Sequence, residues 1–131
     1  MRDYQRKKNN IYILPRAVYH QTLWQVRDYY RLKEEAEDIL LGSPPLLSGE
    51  IHGTMPGDPV FSKASRRENA LHIIGVIDRE KAKLPQEYQK GVWDSIQYGS
   101  RYPDDADRHT YGRYKARFIY GIAVSLGIYK P

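Results

Sequence analysis

Arg113 and Arg117 stand four residues apart near the end of the sequence, with Thr110 and Tyr120 at matching spacing. On a helical wheel of about 100° per residue these four share one side, while Tyr111, Phe118, Ile122 and Leu126 gather within roughly 80° on the other. The second group is a core stripe. The first offers two guanidinium forks, a hydroxyl and a phenol, groups that bond phosphate oxygens and, for arginine, guanine edges. The start of such a helix is itself a place to hold a phosphate. The candidate DNA contacts here are Arg108, Thr110, Arg113 and Arg117, with Tyr111 next in line if the arginines touch only phosphate. Lys115 joins them, although it falls on the apolar stripe and must snorkel or meet a partner.

A second basic cluster, Arg2, Arg6, Lys7 and Lys8, lies at the other end of the chain. No apolar periodicity surrounds it, so it is expected to be a mobile arm that adds non-specific affinity. Lys and Arg number 21 against 16 Asp and Glu, a net charge of +5 over 131 residues. The distribution is sharper than the total: no carboxylate side chain follows Asp107, while Arg108, Arg113, Lys115, Arg117 and Lys130 do. Cations at both ends and acids in the middle suit a polyanionic partner.

Other chemistries find little support. With no cysteine there is no thiol nucleophile, disulfide or cysteine zinc site, in keeping with a reducing cytoplasm. The four histidines, His20, His52, His72 and His109, show no HExxH-like spacing, and helix-start chemistry accounts for Asp104, Asp105 and Asp107. There is no P-loop GKS or GKT and no GxSxG elbow. The expectation is a non-enzyme without cofactor or metal. No apolar run reaches the ~18 residues of a membrane span, and the basic start leads into no signal-peptide core.

The elements that must position these residues read as all-α, with four helices in one domain. Residues 1–15 form the arm, and Pro15 opens a long helix over 16–41, roughly 40 Å at 1.5 Å per residue. Its stripe is Tyr19, Leu23, Val26, Tyr30 and Leu40, broken by Lys33 and Glu37; such length predicts packing against a second copy in a homodimer. Residues 42–57, with four glycines and three prolines, form a loop. Asp58-Pro59 caps and starts a second helix to about Lys83, with Val60, Ala64, Leu71, Ile74 and Ile77 as its apolar positions. A third helix runs from Pro85 to Tyr98 on Tyr88, Val92, Trp93 and Ile96, stopped by Gly99. The last runs from Asp107 to Leu126, stopped by Gly127.

Leu84-Pro85-Gln86-Glu87-Tyr88, an amphipathic helix, a turn and a basic helix follow the order of an abbreviated helix-turn-helix within 58–131. Together with Gly57-Asp58-Pro59, the run from Arg108 to Ile119 and the ending Ile122 to Gly127, this arrangement resembles the phage-encoded transcriptional regulators of the RinA and ArpU type. Those have a C-terminal part similar to sigma-factor region 4. The resemblance covers about residues 57–128, roughly half the chain. It implies a cytoplasmic regulator of phage or prophage genes that occupies a promoter on double-stranded DNA, with host RNA polymerase as a further partner. Two alternatives stand beside it: a DNA-packaging binder similar to a small terminase subunit, with the same physical needs, and a protein-interaction module that docks through the long helix around Trp24, Tyr29 and Tyr30.

Overall fold

The computed structural model describes residues 4–42 and 59–131, and every regular element among them is helical. The order is α1 (Arg16–Arg27), α2 (Tyr29–Gly42), α3 (Pro59–Ala82), α4 (Gln86–Tyr98) and α5 (Arg108–Ser125). Among the described residues there are five helices where four were expected, because the long helix over 16–41 is interrupted at Asp28. That residue has φ −85° and ψ 1°, and its amide is shared between the carbonyls of Trp24 and Gln25. This is the sparsely used bridge region between helix and strand, and it ends α1.

The interruption shifts the buried stripe. Tyr19, Leu23 and Val26 are buried as expected, but the continuation is Tyr29, Leu32 and Ala36, while Tyr30 stays half exposed. Of the loop expected over 42–57, Gly42 closes α2 and the remainder lies outside the described residues. The Asp58 cap and the side chain of Val60 lie outside them too. Among the described side chains of α3 the buried ones are Ala70, Ile73, Ile74, Val76, Ile77 and Glu80; Ala64 and Leu71, placed in the core from the sequence, are exposed.

The chain divides into two compact units, one of Met1–Asp28 with Val76–Pro131 and the other of Tyr29–Gly75. In the first, α1, α4 and α5 pack on one another in all three pairings. Leu23, Val26, Ile77, Val92, Ile96, Tyr111, Phe118 and Ile122 are its fully covered centre. Truncating Leu23, Ile77, Ile96 or Ile122 to alanine costs about 2–5 kcal/mol. Tyr19, Leu23 and Val26 are already buried within the single chain, so that stripe is not available to a second copy. Trp93 lies under α5 against Phe118, with Lys81 Nζ 4.5 Å from its ring centre, whereas Trp24 on α1 is 59% exposed with Arg27 over its face. In the second unit Tyr29, Leu32, Ala36, Ala70, Ile73 and Ile74 are the buried apolar side chains among the described residues.

The ends of α4 and α5 follow their sequence signals closely. Pro85 and Asp107 stand at the caps, one residue outside the helices they open. The Asp107 carboxylate accepts from the His109 amide at 3.0 Å. That bond, with Arg108 and Arg113 nearby, holds its pKa below the usual carboxylate value. Gly99 ends α4 in the left-handed region at φ 68°, and Gly127 follows α5 at φ 75°. Around Gly127 the Ile128 amide reaches the Ala123 carbonyl and the Gly127 amide that of Val124, a Schellman closure that needs a residue without Cβ strain.

Candidate functional site

Over its described part the basic arm is folded back on itself and bonded to the rest of the chain. The Gln5 side-chain amide pairs with Leu14 in both directions, donating to its carbonyl at 2.8 Å and accepting from its amide at 2.7 Å. Between these partners the chain turns back through Asn9 at φ 54°, a left-handed conformation that asparagine tolerates. Asn10 closes the turn, donating to the Arg6 carbonyl and accepting from the Tyr12 amide. Leu14 is buried, and the Tyr19 hydroxyl donates to the Tyr4 carbonyl at 3.3 Å. The turned-back chain thus has internal hydrogen bonds where the sequence led to the expectation of an unstructured, mobile tail. Arg2 lies outside the described residues.

Arg6 ties this arm to α5. Its Nε donates to the Lys8 carbonyl, and its Nη1 donates to the His109 carbonyl in the first turn of α5, both at 3.0 Å. Gly112 makes the approach possible: a Cβ there would lie 2.9 Å from Arg6 Nη1.

Arm and helix together line a cleft of about 980 Å³. Its cations are Arg6 and Lys8 from the arm and Arg108, Arg113 and Lys115 from α5, joined by His109. Asp107, already committed to the helix cap, is the single carboxylate among the lining residues. Tyr4, Tyr12, Tyr19 and Tyr102 supply aromatic surface. Tyr4 is 65% exposed, and Arg108 and Arg113 are exposed as well.

Beneath the cleft a chain of tyrosines fixes the α4–α5 contact. Tyr111 is fully buried, and its hydroxyl donates to Asp105 at 2.6 Å. Loss of water and the Asp105 carboxylate push its pKa up to about 12. Tyr102 stacks on Tyr111 at 5.0 Å and 9°, Tyr88 meets Tyr111 edge-on at 5.2 Å, and Tyr114 stacks on Tyr88 at 5.0 Å. Gly91 of α4 is the seat of Tyr111; a Cβ there would be 2.5 Å from a Tyr111 ring carbon and 2.9 Å from Pro103. Burial raises the Tyr102 pKa, against the opposing pull of its Ser95 hydrogen bond and of Arg6. Lys115, expected to snorkel, is half-buried with Nζ 3.5 Å from Ser95 Oγ and also lines the cleft.

The candidate contacts read from the sequence therefore separate. Arg6, Lys8, Arg108, Arg113 and Lys115 come together. Lys7 is exposed and does not line the cleft, and Thr110 is half-buried beside it. Tyr111 is withdrawn from any surface by complete burial. Arg117 faces another way: its Nη2 donates to the Lys83 carbonyl just past α3 at 2.8 Å, and its guanidinium lies 5.3 Å from the Tyr114 ring centre. Tyr120, placed on the same outer face, packs between Tyr12 and Tyr129.

Sequence reasoning missed Tyr102, Asn9 and the role of Gly112. The signal for Gly112 was present, since a glycine inside a helix marks a close approach. Nothing local announced that Gln5 would bond Leu14. Nine residues, Gly99 to Asp107, separate α4 from α5 without a helix, longer than the three or four of a helix-turn-helix turn. Among the described residues no group of three or more His, Asp or Glu side chains is placed to hold a metal ion, and no helix is long and apolar enough to cross a membrane. No family model matches the chain, and neither a curated protein nor a solved structure matches it.

Proposed function

We propose that the protein is a DNA-binding regulator, of the phage or prophage kind its C-terminal half resembles, and that it acts by occupying DNA. The observation that carries this reading is the cleft. Five permanent cations and His109 line one concavity with a single carboxylate, and that carboxylate is engaged by a backbone amide. Such a surface attracts polyanions, and a polyphosphate chain, with a charge on every residue, most of all. Arg108 and Arg113 have planar, exposed forks suited to phosphate oxygens or base edges, and Arg108 stands where the α5 N-terminus adds its own positive potential. The fold supplies position, and no reaction is required of it.

The test is a gel shift and footprint with the purified protein on DNA from its own genomic neighbourhood, over a series of salt concentrations. Binding that weakens steeply with salt, and a footprint lost with Arg113→Ala, are expected. No shift at low salt overturns the reading. Trp24 and Tyr98, 59% and 66% exposed, favour protein interaction as the second reading. A pull-down abolished by Trp24→Ala but untouched by Arg113→Ala would support it.

A further inference from the structure

The cleft combines two kinds of surface that one kind of DNA uses together. A duplex carries its phosphates outside and keeps its base faces stacked within, so a duplex on this site engages the cations and leaves the tyrosines idle. An unpaired strand offers phosphates and bare base faces at once. Tyr4 projects with most of its surface in solvent, on the same wall as Arg6 and Lys8. Across from it, Arg113 and Arg108 are exposed on α5. Tyr102 is backed on one face by Tyr111, which holds its ring rigid. Tyr4 and Arg6 are both near enough to Tyr102 to act on its ionisation, so ring, ring and guanidinium converge within one cleft. Its volume, about 980 Å³, is that of a site for a small ligand or a short piece of chain, not for a double helix.

From this juxtaposition we infer that the cleft takes an unpaired stretch of DNA, its phosphates on Arg108, Arg113 and Lys115 and a base on Tyr4. The inference rests on the DNA-binding reading above and narrows it: duplex contacts stay on the cationic rim, and the interior selects a strand without a partner.

The experiment compares two fluorescein-labelled probes of about twelve nucleotides, within the roughly 4–16 nucleotide range of single-strand sites. One is oligothymidylate and the other a mixed-sequence duplex, each titrated by anisotropy at low salt into the full chain and its variants. The oligothymidylate is expected to bind at least about tenfold tighter than the duplex. Tyr4→Ala lowers the single-strand affinity by about tenfold and leaves the duplex unchanged, since one stacked base contributes on that scale. It keeps the backbone carbonyl that Tyr19 bonds, so the fold is retained. Tyr4→Trp preserves a ring and restores the affinity. Equal affinity for the two probes, or a Tyr4→Ala variant indifferent to the single strand, overturns the inference while leaving the DNA reading in place. Failure of both probes to bind overturns both.

Discussion

The two halves of α5 put chemically identical side chains to opposite uses. Arg113 and Arg117 stand one turn apart, and a helical wheel treats them as equivalent. Arg113 is exposed at the cleft, where the one lining carboxylate, Asp107, accepts from the His109 amide. Arg117 is bonded to the Lys83 carbonyl. The last turn of a helix leaves carbonyls without intrahelical partners, and α3 ends where Arg117 can reach one. The first half of α5 is seated by rings, with Tyr111 against Gly91 and over Asp105. The second is held by α3, through Arg117 and through Glu80, whose carboxyl abuts Gly121 and pairs with Lys83. What an arginine does is decided by the acceptors its neighbours leave over. A cluster of cations around few acceptors is therefore the informative pattern, and a cationic helix face by itself is not.

The contrast breaks most readily at the seat of the first half. Gly91→Val places a branched side chain into the Tyr111 ring and should cost about 3 kcal/mol, read as a lower urea midpoint. An unchanged midpoint would mean that Tyr111 does not rest on bare backbone. Next comes the arginine pair itself. Arg117→Ala should cost about 1 kcal/mol through its lost carbonyl bond and leave the salt dependence of DNA binding as it was. Arg113→Ala should change stability by less than about 0.5 kcal/mol and reduce the salt slope by about one. If the two exchange effects, the assignment of the halves is reversed.

Alkaline titration separates the halves more finely. The Tyr111 pKa is raised in the folded protein, from 10.0 to about 12, so folding favours its protonated form. The stability it contributes is complete below pH 10 and is lost as pH climbs toward about 12. Tyr111→Phe should remove that part of the alkaline loss in denaturant melts followed across this window. An identical profile would show that ionisation of Tyr111 is not linked to folding. The smallest effect belongs to Gly112→Ala. Helix propensity favours the change by up to about 1 kcal/mol, and the methyl group displaces only the flexible end of Arg6. The melting temperature should hold or rise slightly, while hydrogen exchange at the arm amides of Tyr12 and Leu14 quickens. A clear loss of stability would show that Arg6 anchors α5 as well as the arm.

Much of the fold was legible because its signals are local. Asp107, Gly99 and Gly127 mark helix ends through their own backbone preferences, and Val92, Trp93 and Ile96 declare a face by spacing. The break at Asp28 was not legible, because Tyr29 and Tyr30 offer the same ring to either register and only packing chose Tyr29. Leu71 reads as core by type, yet it lies off the face that α3 buries. The candidate site was half legible. Charge asymmetry named both basic clusters, but their union depends on Arg6 meeting His109 across more than a hundred residues, a contact no spacing rule contains. Tyr111 lay on the apolar stripe from the start, and its burial shows that the stripe should have outweighed its use as a DNA contact.

The two tryptophans described above give the protein an optical property of its own. Trp93, 6% exposed beneath α5, emits from an apolar setting, while Trp24, 59% exposed, emits from water. Excitation of the native protein therefore yields two superposed populations, and a small aqueous quencher such as acrylamide removes the Trp24 component first. What persists is a signal from the α4–α5 core alone. With Trp24→Phe the same signal becomes a single-site record of the Trp93–Phe118 contact between α4 and α5, without any attached dye.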